Sequence, residues 1–566
     1  MSVSTKPQRI VRVKSPVPSE AYPVIDNDNL DCAVYVRREP PCKNACPSSE
    51  DARGYLTQIA QRSLFGRSLE ESLDNAWYVL TDHNPFPAVH GRVCPHPCED
   101  ACNRGFKDEP LAIHNLERHI GDHGIERGLK PRLITDEKKK QKVAVVGSGP
   151  SGLSCAYQLA RRGYRVTVFE AAAEPGGMLR FGIPDYRLPK NILKAELDRI
   201  FDLDIDLKLN ARVGSYVSLG WLRDEFNAVY IATGLHRSTA MNIEGEDLPG
   251  VMTAINLLKC LNNGEKVDIG SHALVVGGGN SAVDVARACL RLGSSVELVY
   301  RRTRAEMPAL TSEIDGAIEE GVRITFLVAP EKITAAGGGA ERRLVMTFIR
   351  MQLGAADASG RRRPLPIEGS EFELQADTVI PAIGQEADLA GMDALAASSG
   401  RVEANPAGAT SLKGVFAGGD MVAPGVATEA VGAGRRAARA IDAYLKGHEY
   451  VLPYARRPIG PESLQLDYYD PAPRHREKSL PVSERTGSRE VNLPLPAEDA
   501  VSETDRCMSC GLCFTCDRCR VYCPTHAISR DLSRPVGRIM FTDYTKCIGC
   551  HVCADCCPCG YIQMGM

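Results

Sequence analysis

Two stretches near the C-terminus carry the same cysteine spacing, Cys513-x₂-Cys516-x₂-Cys519-x₃-Cys523-Pro524 and Cys547-x₂-Cys550-x₂-Cys553-x₃-Cys557-Pro558. Three thiolates at three-residue steps can hold one face of an iron–sulfur cube, and the fourth, set before a proline, turns to ligate the other cube. Zinc knuckles also use C-x₂-C pairs, but those pairs stand well apart. Here four cysteines crowd together twice, each set closed by Cys-Pro. The spacing therefore points to a two-cluster 4Fe–4S module that passes single electrons. Cys507 and Cys510 extend the run upstream, yet only the register beginning at Cys513 gives both the x₃ step and the proline. Cys507, Cys510, Cys556 and Cys559 stay outside every set.

At 566 residues the chain should form about three or four domains. A net charge of -3 gives no electrostatic case for nucleic acid or an anionic membrane as partner. Twenty-one cysteines without an apolar leader suit a reducing compartment and metal ligation. No apolar run approaches the ~20 residues of a membrane span. The sequence reads as soluble and cytoplasmic.

Texture divides the chain into a multidomain α/β assembly. Residues 1–138 read as an α-helical iron–sulfur domain behind an extended arm (1–30), with apolar positions at helical spacing (Tyr55, Leu56, Ile59; Leu69, Leu73, Trp77). Residues 139–260 and 375–447 read as a doubly wound FAD-binding domain, and 261–374 as a second doubly wound domain for NAD(P)H. Residues 448–500, rich in proline and charge, read as a surface tether. Residues 501–566 form the C-terminal α+β, ferredoxin-like module.

Val143-Ala-Val-Val-Gly147-Ser-Gly149-Pro-Ser-Gly152 is an apolar strand entering G-x-G-x-x-G, and the next strand ends in Glu170. The glycines let the backbone approach a pyrophosphate at a helix N-terminus, and the acid can bind a ribose diol. The loop Glu174-Pro-Gly176-Gly177 and the strand ending Gly418-Gly419-Asp420 resemble the flavin-contacting segments of two-dinucleotide-domain flavoproteins, in which the matching Asp binds FAD. A second turn, Gly277-Gly-Gly279-Asn280-Ser-Ala282, is followed by a strand that ends in Arg301-Arg302 instead of an acid. Arginines suit a 2′-phosphate, which favours NADPH over NADH. The plainer reading gives one arginine to adenine stacking and the other to solvent. Cys155, Cys260 and Cys289 lie in helical patterns and read as core thiols.

From about Cys42 onward the chain resembles the small (β) subunit of glutamate synthase and its relatives. These include the N-terminal half of dihydropyrimidine dehydrogenase, the large subunit of the bifurcating NADH-dependent ferredoxin:NADP oxidoreductase, and DsrL-type proteins. Pro41-Cys42-x₃-Cys46-Pro47, Gly91-Arg-Val-Cys94-Pro-x₂-Cys98-x₃-Cys102, both glycine fingerprints, Gly182-Ile-Pro-Asp-Tyr-Arg-Leu-Pro189 and Tyr300-Arg-Arg-x₄-Met307-Pro308 carry the match. The resemblance implies one N-terminal cluster on Cys46, Cys94, Cys98 and Glu117. It implies a second on Cys42, Cys102 and a C-x₂-C pair near Val34 and Arg37, where this chain has no cysteine. Cys32 is the substitute at hand, and three thiolates leave an iron one ligand short. Three clusters thus have complete ligand sets and a fourth does not.

The modules use up the length, leaving no barrel or glutaminase domain. The expected function is electron transfer: exchange between NAD(P)H and a ferredoxin-type acceptor or partner through FAD and 4Fe–4S clusters. The partner is a catalytic subunit or a soluble ferredoxin, with a stand-alone NADPH:ferredoxin oxidoreductase and a glutamate synthase small subunit as alternatives. Hydride transfer needs positioning more than a side-chain acid or base, so no catalytic residue is expected. The dehydrogenase relatives further imply a homodimer with electron transfer crossed between chains.

Overall fold

The computed structural model describes residues 32–36, 38–335, 343–357, 360–453 and 457–565; the arm at 1–30 lies outside them. The helical region is built from Ala52–Ala60, Leu69–Thr81, Pro87–Val93 and Ile113–Glu126. Ser68 caps the second of these, its side chain accepting from the Glu71 amide at 3.1 Å, where the first-turn acids Glu70 and Glu71 also suit the helix dipole. Its apolar stripe buries Trp77, Leu73 and Leu80 against Tyr55, Leu56, Leu116 and Ile120. The helices Pro87–Val93 and Ile113–Glu126 meet backbone to backbone. A Cβ on Gly91 would stand 2.3 Å from the Arg118 amide nitrogen, and one on Gly121 would stand 2.3 Å from that of Ala88. That close crossing is what sets Cys94, just past the first helix, beside Glu117 on the second.

Two parallel sheets follow. The first has the strand order Val415–Ala417, Ala228–Ile231, Lys142–Val146, Arg165–Phe169, Asp206–Lys208. The second runs Thr378–Pro381, His272–Val276, Ser295–Tyr300, Arg323–Phe326, with an antiparallel flap between Val328 and Ala376. Strands such as Ala228–Ile231 and Thr378–Pro381 are buried throughout, as expected where helices cover both faces. The chain crosses between the sheets through the short pair Arg237–Ser238 and Gln385–Glu386.

These crossings move the expected domain limits. The helix Ala254–Asn262 packs Ala254, Leu257 and Leu258 into the second core, and Thr378–Pro381 pairs with His272–Val276. The second domain therefore reaches back before residue 260 and forward past 374, because packing partners lie there and glycine fingerprints mark only where each domain's first turn begins.

The outer segments differ more. Strand Ala33–Tyr35 leaves the helical region and pairs antiparallel with Ile562–Met564, so the cysteine-rich module draws an edge strand from the opposite end of the chain. Cys32, just before that strand, is buried in the module close to Tyr544, on the side of Cys547, whereas the thiols acting on Cys42 are Cys102 and Cys507. The helix Ala497–Asp505 straddles the boundary expected at 500 and contributes Ala500 to the N-terminal core. Residues 457–496 form a fastened strap, not a loose tether. Arg474 binds Glu99 at 2.5 Å, Glu490 accepts from Arg92 at 2.8 Å and pairs with Arg118 at 2.9 Å, the Val491 amide donates to the Tyr186 carbonyl at 3.0 Å, and Arg485 pairs with Glu319 at 2.8 Å. Low apolar content hid these contacts, which are mostly charged. Among the described residues no helix is long and apolar enough to cross a membrane.

Candidate functional site

The first glycine turn is packed tightly at one end and open at the other. A Cβ on Gly152 would lie 2.0 Å from the Gly147 carbonyl oxygen, so the helix Pro150–Ala160 can begin there only on glycine. Gly149 has only the Gly177 Cα near it, at 4.0 Å, and a Cβ on Gly177 (φ +54°) would lie 2.7 Å from Gly149. Backbone alone thus lines a gap at a helix N-terminus, which suits a pyrophosphate. Glu170 closes the turn, accepting from the Ser148 amide at 2.9 Å and its hydroxyl at 2.5 Å. Gly419 (φ +73°) sits against Ser151. Half-buried Asp420 accepts from the Gly425 amide at 3.2 Å, and burial pushes its carboxyl up to about 6. The helix Ala427–Leu445 starts just beyond it, aiming its positive end back at this region.

The second turn is similarly shaped. Gly277 (φ +148°) faces the Ala382 carbonyl, Gly278 lies under the Tyr300 ring, and Gly279 has open space. Asn280 accepts from the Leu310 amide at 3.0 Å, fixing the loop over the helix start. The arginine pair splits. Arg302 is buried, donating to the Arg362 carbonyl at 2.8 Å and pairing with Asp357 at 3.0 Å. Arg301 is exposed, and its side chain makes no hydrogen bond or ion pair among the described residues, so of the two it is the arginine left available for a phosphate. Arg187, in the Gly182–Pro189 loop, grips Asp284 on the helix Asn280–Arg291 at 2.9 and 2.8 Å and holds the two nucleotide domains together.

In the helical region Cys42, Cys46, Cys94, Cys98 and Glu117 all line one cavity. Burial first, then the neighbouring Glu50, hold the Glu117 carboxyl well above the usual range, a carboxyl whose ionised form would be offset by a metal. Thr428, in the first turn of Ala427–Leu445, donates to Cys94 Sγ at 3.1 Å. The thiol group therefore abuts the helix that points at the flavin region. Cys513, Cys516, Cys519 and Cys557 line a second cavity and Cys523, Cys547, Cys550 and Cys553 a third, the exchange of fourth residues that the Cys-Pro endings suggested. Cys559 also lines the second cavity. The hydrogen bond between it and Cys557, both free thiols and 3.8 Å apart, together with amides of residues 559, 561 and 562, holds the Cys557 thiol down at about 6, which favours Cys557 as the thiolate.

Two residues outside the expected sets prove to be placed with members of one. Cys507 packs into the N-terminal core beside Cys42 and Cys102, and Cys510 Sγ accepts from Asn103 at 3.6 Å. Their sequence signal was a C-x₂-C pair on the C-terminal side of the chain, separated from its partners by some four hundred residues. Of the remaining thiols, Cys155 and Cys289 are buried in the two sheet cores, and Cys260 is partly exposed.

Two backbone-lined nucleotide turns, joined to thiol groups too widely spread for a single ion, are the parts of a flavin- and iron–sulfur-dependent NAD(P)H oxidoreductase. Among the described residues, the groups tight enough to hold one ion contain no cysteine, whereas tetrahedral zinc at ~2.3 Å from each sulfur would draw its thiols together. Residues 141–434 match the pyridine nucleotide-disulphide oxidoreductase family model, and residues 30–129 that of the dihydropyrimidine dehydrogenase domain II, 4Fe-4S cluster. Over 520 residues the chain is 40% identical to the NADP(+)-dependent formate dehydrogenase subunit beta of Moorella thermoacetica, covering 83% of this chain and 70% of that one. It is 37% identical over 513 residues to the NADPH-Fe(3+) oxidoreductase subunit beta of Geobacter sulfurreducens (83% and 75%). Against the glutamate synthase [NADPH] small chain of Escherichia coli K12 the figures are 35% over 431 residues (72% and 89%). The chain belongs to the pyridine nucleotide-disulphide oxidoreductase family, among the glutamate synthase small chain-like proteins that transfer electrons with FAD, NADP(H) and 4Fe–4S clusters.

Proposed function

We propose that this chain is the NADPH-side subunit of a larger enzyme, exchanging electrons between NADPH and a partner subunit that docks on the C-terminal two-cluster ferredoxin module. The observation that carries the reading is the file of thiol groups. It starts at Cys94, touched by Thr428 of the flavin-side helix, passes Cys42 and Cys102, and reaches the Cys513 group, whose Cys513 carbonyl accepts from Gln61 at 2.9 Å. It ends at the Cys547–Cys553 group, where Cys550 is exposed. FAD, when bound, would supply the conversion between the electron pair of one hydride and two single electrons, and the clusters would carry those electrons one at a time.

The chain's own part is positioning. Glycine turns bring backbone to pyrophosphate, Arg301 offers a cation to a 2′-phosphate, and the strap and the Ala33–Tyr35 strand hold the module against its own N-terminal domain. Transfer crossed between the chains of a homodimer is not needed for this file. An apolar rim surrounds the outer end, with Ile548 65%, Val521 64% and Tyr522 53% exposed, as at surfaces that dock another protein. The named relatives, as subunits, support a partner of this kind.

A charge placed in the rim tests the reading. Ile548→Asp with Tyr522→Asp should lower NADPH-driven reduction of a two-cluster ferredoxin by about thirtyfold, the scale of one interface hot spot, while ferricyanide reduction is unchanged. Equal ferredoxin rates in variant and wild type would place the exit elsewhere.

A further inference from the structure

We infer that Cys42, Cys102, Cys507 and Cys510 ligate a fourth 4Fe–4S cluster, which pins the C-terminal module to the N-terminal domain. The pair missing near Val34 is thereby replaced by a pair from the far end of the chain.

The four thiols converge. Cys507 packs with Cys42 and Cys102 into one core, and Cys510 receives a bond from Asn103, the residue after Cys102. Each of the six possible pairs among them is close enough for the charge on one sulfur to act on another. The Cys507–Cys510 turn also has the shape of the other ligand-bearing turns in this chain. Ser509 is left-handed (φ +49°) and its amide donates to Cys507 Sγ at 3.4 Å. Thr515 (φ +67°) does the same to Cys513 at 3.3 Å, and His96 (φ +45°) to Cys94 at 3.3 Å. Gly549 in the Cys547–Cys550 turn is left-handed too (φ +67°). A non-glycine residue is strained in this region, and the recurring turn uses that conformation to aim an amide at a sulfur.

One buried cation fits an anionic centre. Arg104 and Arg506 are nearly fully buried but already paired, Arg104 with Asp108 and Arg506 with Asp108 and Glu503, whereas the charge of nearly fully buried Arg53 acts on Cys42, Cys507 and Cys510. Arg53 donates to the carbonyls of Arg38 and Cys510, at 2.9 and 2.6 Å, and its buried Nε has no hydrogen-bond partner, with the Asp51 carboxylate 3.8 Å away. Arg104 donates to the Arg506 carbonyl at 3.2 Å, directly before Cys507. The preceding helix, Ala497–Asp505, is locked in place by Glu503, which is wholly buried and accepts from the Ala112 amide at 2.9 Å. Both halves of the site are therefore held in register by contacts made outside it.

This site deepens the electron-file reading, but its test reads iron and not electron flow, so the two can fail separately. Protein purified anaerobically should hold about 16 iron atoms per chain, four for each of four ligand sets. Cys507→Ser/Cys510→Ser should lose about four of them, with flavin content kept. Cys42→Ser should lose the same four, and Cys42→Ser/Cys507→Ser no more than either alone. Cys510→Asp, which keeps an anionic ligand, should retain the iron and shift one EPR signal, a readout that survives if the serine variants fold poorly. Stoichiometric zinc in the wild type, iron losses that add up between Cys42 and Cys507, or an EPR spectrum unmoved by Cys510→Asp would each overturn the assignment.

Discussion

At the residue scale, the arginines after the second sheet's middle strand show how one dipeptide divides its work. Arg302 is consumed by Asp357 and the Arg362 carbonyl, while Arg301 faces solvent. Arg301→Ala should raise KM for NADPH by about tenfold and leave NADH unmoved, since one charge-assisted contact to phosphate is worth ~1.5–3 kcal/mol. Arg302→Ala should instead lower the melting temperature, because it removes the ion pair to Asp357 and the bond to the Arg362 carbonyl. Steady-state kinetics with both coenzymes and a thermal melt separate the two. Glycine gives a second case. In Gly152→Ala the new methyl collides with the Gly147 carbonyl oxygen, so the turn must open, and the purified variant should contain little FAD by absorbance. A variant with full flavin would show that the turn is not where the pyrophosphate binds.

At the element scale, the strap is what the sequence least prepared for. Proline and charge spell a surface segment, and 457–496 does lie on the surface, yet its charges are paired to partners on two domains, the helical and the NAD(P)H domain, and its Val491 amide reaches the third. Glu320 is one anchor. Burial alone would raise its carboxyl, but hydrogen bonds from Arg287 and Arg291 outweigh this and hold it down at about 2, with Arg485 of the strap 3.6 Å away. A carboxylate held below its unfolded value stabilises above that value and ceases to do so as pH falls towards the folded one. Glu320→Gln should therefore cost about 3 kcal/mol at neutral pH. The difference from wild type should shrink between pH 4.5 and about 2. Denaturant midpoints across that range would check it, and a difference independent of pH would assign the effect to packing alone.

At the scale of the whole molecule, the two ends of the chain meet. Ala33–Tyr35 completes the module's sheet, Ala500 and Leu495 complete the N-terminal core, and Cys507 and Cys510 lie beside Cys42 and Cys102. The module is an integral layer, so deleting residues after 498 would strip Glu503 from the Ala112 amide and damage the helical domain as well. Point changes are the cleaner probe. Cys516→Ser should remove one exit cluster, leaving NADPH-driven ferricyanide reduction within about twofold and nearly abolishing ferredoxin reduction, because hydride transfer needs only the nucleotide domains. Undiminished ferredoxin reduction would make the module a side branch.

The sequence by itself determined the parts. Doubled Cys-x₂-Cys spacing, glycine turns between an apolar strand and a helix, and a strand ending in Arg301-Arg302 are local patterns, and each is legible because its geometry is complete within a few residues. The edges of the domains were legible only in part, since Ala254–Asn262 and Thr378–Pro381 belong to the second core through packing that no local pattern announces. Which arginine is free, where Cys32 goes and what stands beside Cys42 were settled by the tertiary structure alone. Those facts depend on contacts between residues hundreds of positions apart, such as Tyr35 with Ile562 and Asn103 with Cys510. Spacing along the chain fixes which atoms can share a turn; only the packed fold decides which turns share a site.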